Sequence, residues 1–384
     1  MKITRRGRPT VEEPEDSRGA SVRLSRCRAT IAEVAREAGV SVATVSRVVN
    51  RASPYIALAT RHRVEAAIES LHYTPNRLVR SLQQGCTKVI AYTSTYPGLF
   101  RRDEFEILLL TEICRAARTT GYDILVLAGS VQEDGVPGEA SILDGRCDGV
   151  ILQAPRGASV VEALAERRFP TLVLGNRYVP QGIGSLQGDN IGGTRKAMEY
   201  LLSLGHRRIA HLCGPVRSWD EASCRMGGYL EALEHAGIPR DASLIMPNGG
   251  TATWEADAKE VETALNVWLE MQHPPTAVFC ASDRLAATLL EAARRRGLHV
   301  PRDLSVIGFD DMPIARYCNP PLTTVSIDLE QLGSAAVDTL QELIARTQES
   351  SGDSNEEMIG KAVSQIVSAK LVIRGSTAPS SNSR

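Results

Sequence analysis

Three ionisable side chains have the chemistry to bind a ligand. Asp283 follows the apolar run Val278–Cys280, which has the pattern of a buried strand, and its carboxylate could accept two hydrogen bonds from vicinal hydroxyl groups. Arg225, in the run RMGGY, carries a planar guanidinium that could donate paired hydrogen bonds to hydroxyl groups or to a carboxylate. Arg47 stands among small residues, where the same fork could meet the edge of a guanine.

The segment Thr30–Asn50 predicts two short helices joined by a tight turn. Thr30 and Glu33 have the spacing of a capping box, and Gly39 stands where a helix C-terminus needs positive φ. Ser41 can cap the second helix. Two such helices must pack on a third, and the arrangement is typical of a helix-turn-helix, whose second helix lies in the major groove of DNA. The apolar positions of the first helix recur at helical period: Ile31, Val34, Ala35 and Ala38.

The second predicted helix, over about 42–49, should present one face to DNA. Val45 and Val48 take the inner face, so Arg47 lies on the opposite one. Small apolar groups can approach thymine methyls, and short polar groups can hold phosphates, which fix register without reading sequence. The first kind are Val42 and Ala43, and the second kind are Ser46 and Asn50, with Thr44 able to reach either a base or a phosphate.

The N-terminal part of the chain divides into three pieces. Residues 1–28 are polar and aperiodic and predict a disordered basic arm, whose RRGRP stretch is an AT-hook-like element, a plain basic tail, or sequence upstream of the true start. Residues 29–75 predict the DNA-binding domain, with a third helix over about Arg61–Leu71 capped by Thr60. Residues 76–85 predict a short helical segment that orders only against a partner chain or DNA.

The distribution of charge supports a DNA-facing head. The formal net charge of the 384-residue chain is −1, which alone does not indicate nucleic-acid binding. Residues 1–82, however, hold 15 Lys and Arg against 8 Asp and Glu, whereas the remainder holds 29 against 37. This division predicts a basic head on an acidic body, and the length allows two or three domains with substantial cores.

From Lys88 onward, short apolar runs alternate with amphipathic helices such as Glu106–Thr119, Thr194–Leu204 and Ala286–Arg296. This alternation predicts doubly wound parallel sheets, and residues 86–375 are long enough for two such lobes. Residues 349–361 predict a polar loop before a last strand, Ala369–Ile373, and residues 376–384 predict a disordered tail. The other strands, each expected to be buried on both faces, are Val89–Tyr92, Ile124–Ala128, Gly149–Leu152, Thr171–Leu174, Ile209–Leu212, Ala277–Cys280 and Val306–Phe309.

Several protein classes lack their usual signals here. G-x-S-x-G, H-E-x-x-H, Walker A and G-x-G-x-x-G strings are absent, so an α/β enzyme is disfavoured. The eight cysteines are scattered without a C-x-x-C pair, which favours buried free thiols; we expect no metal and no cofactor. The N-terminus lacks the apolar core of a secretory signal, and no apolar run of about 18 residues could span a membrane. We therefore expect a cytoplasmic protein.

Five motifs in order resemble the LacI/GalR family of transcription regulators. They are VSVATVSRVVN, then YTPN ending at Asn76, LGHRRI from Leu204, GFDD from Gly308 and PPLTTV from Pro320. The resemblance covers about residues 29–375. It implies a homodimeric DNA-binding head, a hinge helix and a two-lobed core related to periplasmic sugar-binding proteins. Thr30, Ser41, Tyr73 and Asn76 complete the residues expected at the DNA.

The resemblance also implies roles for single residues. Leu82 would wedge into the minor groove and kink the operator, or pack on its dimer mate, and both can hold. Asp283 would be the family's sugar-binding aspartate, although it or Ser282 could instead cap the next helix. Arg225 matches the family's effector arginine, but Ser223 stands where many members carry a second arginine, which disfavours a strongly anionic effector.

Further candidates could line an effector site between the lobes. Trp219 and Trp254 could stack on a sugar ring, or be ordinary partly buried tryptophans. Asn176 and Arg177 follow a predicted strand, and Asp310 ends another, where it is either ligand-facing or structural. The chain is therefore interpreted as a repressor of carbohydrate genes, which binds a pseudo-palindromic operator under control of a sugar-like effector. The alternatives are a sugar-binding protein or an α/β enzyme without a DNA role.

Overall fold

The computed structural model describes residues 29–50, 56–75, 81, 85–94, 104–127, 138–217, 219–246, 258–350 and 363–380. The chain forms two compact units, Met1–Gln83 and Gln84–Arg384. The predicted N-terminal arm with its RRGRP stretch, most of the predicted hinge helix, Asn76, Leu82 and Trp254 lie outside the described residues.

Three helices form the first unit: α1 (Ile31–Glu37), α2 (Val42–Val49) and α3 (Leu58–Ser70). The predicted capping box is present, since the Glu33 N–H donates to Thr30 Oγ1 over 3.3 Å and the Thr30 N–H donates to Glu33 Oε2 over 2.6 Å. The prediction for α3 was wrong at its start, because the helix already begins at Leu58 and its cap residue is an alanine. The buried centre of the unit consists of Val34, Ala35, Ala38, Val45, Val48, Val64 and Ala67.

The helix-turn-helix geometry follows from local sequence. Gly39, at φ +62°, turns the chain after α1 in a conformation that L side chains rarely adopt. The Ser41 Oγ then accepts the Thr44 N–H over 3.1 Å and caps α2. Because these bonds join residues close in sequence, the predicted bounds of α2 agree with the structure.

The second unit contains two six-stranded sheets, one in each lobe. The first lobe orders its strands β11-β5-β4-β3-β1-β2, and the second orders them β12-β10-β9-β8-β6-β7. All pairings are parallel except that of β10 with β12. The first sheet consists of β1 (Val89–Ser94), β2 (Asp123–Val126), β3 (Gly149–Gln153), β4 (Thr171–Leu174), β5 (Gly184–Gly188) and β11 (Ser364–Val367). The second consists of β6 (Ile209–Leu212), β7 (Ile245–Met246), β8 (Ala277–Cys280), β9 (Ser305–Asp310), β10 (Thr323–Ile327) and β12 (Ala369–Val372).

Helices cover both sheets and confirm the predicted doubly wound architecture of two lobes. The chain crosses between the lobes after β5, after β10 and between β11 and β12. The helices of this unit are α4 (Glu104–Thr119), α5 (Glu139–Ile142), α6 (Ser159–Glu166), α7 (Asn190–Ser203), α8 (Asp220–His235), α9 (Ala258–Leu269), α10 (Asp283–Arg295), α11 (Ile314–Tyr317) and α12 (Leu329–Ser350). Among the described residues, no helix is long and apolar enough to cross a membrane.

Four expectations for this unit need correction. β2 is an edge strand with both ends exposed, so it is not buried on both faces. α12 extends through Ser350 into the predicted polar loop, and β11 follows that loop as an additional strand. The predicted tail is ordered over residues 376–380, where the Ser376 side chain is fully buried. Cys114 is exposed on α4, whereas Cys147, Cys213, Cys224 and Cys280 are buried free thiols as predicted.

Candidate functional site

The exposed face of α2 is the candidate DNA interface. Val45 and Val48 are buried in the head core, and this leaves Arg47 exposed on the opposite side of the helix. Val42 is 45% exposed at the start of the helix. The exposed surface of α2 therefore carries a small apolar side chain, Val42, and a cationic one, Arg47. This combination is suited to the major groove, which has phosphates along its edges and thymine methyls on its floor.

The polar residues predicted at this interface are already arranged along the helix. The Thr44 hydroxyl lies 2.9 Å from the Ser41 hydroxyl, and the Asn50 amide donates to Ser46 Oγ over 3.3 Å. Thr30 is exposed as the cap of α1, whereas Tyr73 packs half-buried against the head core. Ring burial makes Tyr73 a structural residue of the head as well as a candidate DNA contact.

Arg225 is the centre of a polar cluster at the carboxyl ends of the second-lobe strands. Its side chain is 5% exposed, and Nη2 donates to Asp310 Oδ1 over 3.0 Å. Nε donates to Asn190 Oδ1 over 2.8 Å, and Nη1 donates to the Ala281 carbonyl over 2.5 Å. The guanidinium carbon lies 3.8 Å from the centre of the Phe309 ring. Contacts with α7, β9 and the end of β8 hold the fork in one orientation.

The effector-binding role of Asp283 stays a prediction, and the structure places this residue in the interior of the second lobe. This residue has no exposed surface, and its two carboxylate oxygens accept from the Thr324 hydroxyl over 2.5 Å and the Met312 N–H over 2.7 Å. Burial, reinforced by the neighbouring Asp310 carboxylate, raises the pKa of Asp283 well above its usual range. Ser282 caps α10 by accepting the Leu285 N–H over 3.3 Å.

Asp310 is the carboxylate that lies beside Arg225 near the surface. It ends β9, its side chain is 12% exposed, and its φ of +107° is a left-handed value that non-glycine residues rarely adopt. Residues held in such conformations cluster at ligand sites. The sequence signal was the GFDD motif, in which a buried strand ends on two successive carboxylates.

The other predicted effector residues have different surroundings. Asn176 is 2% exposed, and its Oδ1 accepts the Tyr178 N–H over 2.9 Å. Trp219 is 4% exposed and packs with Val216 and Ala222. Arg177 Nε lies 3.4 Å from Oδ2 of Asp220, which belongs to the second lobe.

Two glutamines that sequence analysis missed lie towards the carboxyl ends of first-lobe strands. Gln153 ends β3 beside Ser94 of β1, and Gln187 is the penultimate residue of β5. They are 8% and 6% exposed, and within the described part of the chain neither Oε1 has a hydrogen-bond partner. A buried acceptor without a donor is costly, so each oxygen is suited to an O–H or N–H of a ligand. The available signal was a polar residue at the end of an otherwise buried strand.

The described residues were also searched for groups of side chains that could bind a metal ion. In the described ranges, no group of three or more His, Cys, Asp or Glu side chains could hold a metal ion.

Comparison with known proteins assigns both units. Residues 30–76 match the model of bacterial regulatory proteins of the lacI family, and residues 198–377 match that of the periplasmic binding protein-like domain. The chain is 33% identical over 356 residues to the transcriptional repressor CytR of Escherichia coli strain K12, covering 91% of this chain and 96% of CytR. It is 30% identical to the transcriptional regulator DegA of Bacillus subtilis strain 168, covering 92% of this chain and 99% of DegA.

Solved structures give the same result. The lac repressor dimer bound to operator and the anti-inducer ONPF superimposes with a TM-score of 0.75 at 28% identity, covering 91% of this chain and 99% of that one. The regulator CelR in complex with cellobiose has a TM-score of 0.64 at 29% identity, covering 91% and 100%. CytR and DegA are both transcriptional regulators. This similarity excludes the alternative that the chain is an α/β enzyme without a DNA role. The chain belongs to the LacI family of bacterial regulatory proteins.

Proposed function

We propose that this protein is a transcriptional repressor that binds a pseudo-palindromic operator as a homodimer, under control of a small effector held between the lobes of its core. The observation that carries the DNA-binding part is the exposed α2 face, on which Arg47 stands opposite the buried Val45 and Val48. A dimer presents two such faces, and twofold symmetry in the protein calls for an inverted repeat in the DNA. The repressor acts on the chromosome, and hence in the cytoplasm.

Operator binding is tested with the full-length chain. Fragments selected from a genomic pool by gel shift are expected to contain an inverted repeat. The substitution Arg47→Ala should lower the preference for this repeat over scrambled DNA by at least about tenfold per half-site, because a bidentate contact to a guanine is lost. Footprinting locates the protected repeat, and competition titrations against scrambled DNA measure the preference for it.

Arg36→Ala is the matched control, because it removes the same charge from the exposed end of α1. It should weaken binding to all sequences alike and leave the preference intact. If Arg47→Ala still protects the same repeat with unchanged affinity, α2 is not the reading helix.

The proposed effector is a neutral, sugar-like molecule rich in hydroxyl groups. Arg225 and Asp310 neutralise each other at 3.0 Å and can both bind hydroxyls from the second lobe. Gln153 and Gln187 offer Oε1 acceptors from the first lobe that have no hydrogen-bond partner among the residues that the structure describes. A single arginine that is already paired gives no surplus positive charge for a strongly anionic ligand. The similar regulator CelR forms a complex with cellobiose, which is a ligand of this chemistry.

A thermal-shift screen with cellobiose and a panel of mono- and disaccharides tests this part. A sugar at about 100 times its Kd should raise the Tm of the core by about 4 °C, because binding stabilises only the folded state. Asp310→Asn should abolish the shift relative to that variant's own Tm. Asp241→Asn, which removes the partner of Arg208 at 3.1 Å within the second lobe, is the control and should keep the shift. If no sugar shifts the wild-type Tm, the carbohydrate class is wrong.

A further inference from the structure

Asp220 connects the two lobes of the core. It is the first residue of α8 in the second lobe, and its side chain has no exposed surface. Its hydrogen-bond donors come from the first lobe. Arg156 Nη2 donates to Oδ1 over 2.9 Å, the Arg177 backbone N–H donates to Oδ2 over 3.2 Å, and Arg177 Nε lies 3.4 Å from Oδ2. We call Arg156, Asp220 and Arg177 the interlobe cluster.

The first-lobe side of this cluster is organised by an aromatic ring. The guanidinium carbon of Arg156 lies 4.1 Å from the centre of the Tyr178 ring, and that of Arg177 lies 5.1 Å from it. Cation–π contacts of this length orient both forks before a carboxylate arrives. The Tyr178 N–H is itself bonded within the first lobe, to Asn176 Oδ1 over 2.9 Å.

The neighbouring backbone allows a close approach between the lobes. Gly175 follows β4 at φ +73°, and a Cβ built on it would lie 2.2 Å from Oε1 of Glu221 in the first turn of α8. Only a glycine admits this second-lobe carboxylate without a shift. The contact brings the positive end of α8 next to the first lobe, and acidic residues there also favour the helix dipole.

The energetics make this contact depend on lobe position. A carboxylate without exposed surface is stable only while its partners remain in place, because an unpaired buried charge is strongly unfavourable. Separation of the lobes would return Asp220, Arg156 and Arg177 to water, where each charge is solvated. The structure shows the paired arrangement with the lobes together, and hydration of the same charges with the lobes apart is the alternative to it.

We propose that the interlobe cluster sets the equilibrium between closed and open cores in the absence of effector, with Asp220 as the positioning residue. This inference rests on the proposed function only where it links lobe closure to effector control. A ligand that binds the closed core binds more tightly when the interlobe cluster stabilises closure, and a ligand that binds the open core binds more weakly.

Two adjacent backbone amides provide a direct test without DNA or effector. The Arg177 N–H is bonded across the lobes, whereas the Tyr178 N–H is bonded within the first lobe. In full-length protein carrying Asp220→Ala, hydrogen exchange at the Arg177 amide should be at least about tenfold faster than in the wild type. The substitution removes the acceptor of this amide and shifts the core towards the open arrangement, and both changes expose the amide to water. Exchange at Tyr178 should stay unchanged. Residue-level mass spectrometry with electron-transfer fragmentation measures both rates.

Three further variants complete the design. Asp220→Asn keeps the shape and loses the charge, so it should give an intermediate rate at Arg177. Arg156→Gln removes the opposite partner from a side chain that is 50% exposed, and it keeps the test available if Asp220→Ala does not fold. Asp241→Asn breaks an ion pair inside the second lobe and should change neither rate.

Two results would overturn the proposal. One is an unchanged rate at Arg177 in the Asp220 and Arg156 variants. The other is an equal acceleration at Arg177 and Tyr178, which would mean general loosening of the first lobe. Small-angle scattering of the same variants should show a larger radius of gyration than the wild type. Neither readout involves operator binding, so failure here is distinguishable from failure of the proposed repressor function.

Discussion

His211 is a titratable residue held neutral by its surroundings. It stacks between Tyr229 and Phe279, with ring centres 4.9 and 5.0 Å apart. Its Nδ1 lies 2.9 Å from the Phe279 carbonyl, and Nε2 is buried without a partner in the described part of the chain. Burial, aided by the positive charge of Arg225, lowers the pKa of His211 to about 4, against the hydrogen bond to Phe279.

This histidine should make the core less stable in mild acid. The unfolded chain protonates His211 near pH 6.5 and the folded chain near pH 4, so its contribution is complete above pH 6.5 and is lost as the pH falls to about 4. The free energy of unfolding should fall by about 3 kcal/mol across this window on account of this group. Urea titrations at several pH values measure the loss.

His211→Phe provides the comparison, because it keeps an aromatic ring between Tyr229 and Phe279 and removes the titrating group. Its free energy of unfolding should depend less steeply on pH over the same range. An identical pH dependence in this variant and the wild type would contradict the assignment.

At the scale of elements, the C-terminal segment 376–380 completes the second lobe. The Ser376 hydroxyl accepts the Thr323 N–H over 2.8 Å and donates to the Val306 carbonyl over 2.6 Å, and the Val306 N–H donates to the Ser376 carbonyl over 2.8 Å. His206 lies 3.0 Å from the Ala378 carbonyl through Nε2 and 2.8 Å from the Thr276 hydroxyl through Nδ1. The segment thus supplies partners to the first residues of β9 and β10 and to the LGHRRI motif.

Truncation after Gly375 should therefore destabilise the core. It leaves buried groups at Val306 and Thr323 without partners, at a cost of about 1–3 kcal/mol for each group. The Tm should fall by several degrees. Truncation after Ser380 keeps every one of these bonds and is the matched control. Equal Tm values for the two truncated chains, measured by calorimetry, would show that the segment is dispensable.

At the scale of the whole molecule, the uneven charge should control association with DNA. Residues 1–82 hold 15 basic against 8 acidic residues, whereas the remainder is acidic. Contacts of the basic part with phosphates release counterions, and affinity then falls steeply with salt. The acidic remainder reduces attraction of the body to DNA, so we expect the first 82 residues to carry the electrostatic part of binding.

A rise from about 50 to about 200 mM salt should lower operator affinity by about 1000-fold or more if the dimer makes at least about six phosphate contacts. Gel-shift titrations over this range measure the slope. Binding of a neutral sugar to the same protein is the internal control and should change little. A flat salt dependence of operator binding would contradict the proposed division of charge.

The local elements could be predicted from sequence because their causes lie within a few residues. The capping box of α1, the left-handed Gly39 and the Ser41 cap determine where α1 ends and α2 begins. Buried strands such as Thr171–Leu174 and Ala277–Cys280 have the predicted bounds because both faces must be apolar. β11, by contrast, has three exposed residues out of four, and only its pairing with β5 makes it a strand.

The sequence by itself determined the helical head, the alternation of strands and helices in the core, and the family, since local caps, periodicity and motifs carry this information. Only the tertiary structure showed the different surroundings of the two candidate carboxylates. Asp283 and Asp310 both stand at strand ends, but Asp310 meets an arginine 85 residues away, whereas Asp283 is enclosed by Thr324. The interlobe cluster likewise joins residues 64 positions apart. In both places the surroundings of a side chain depend on its burial and on partners that folding brings together from distant parts of the chain. The residues next to it in the sequence do not encode either of these.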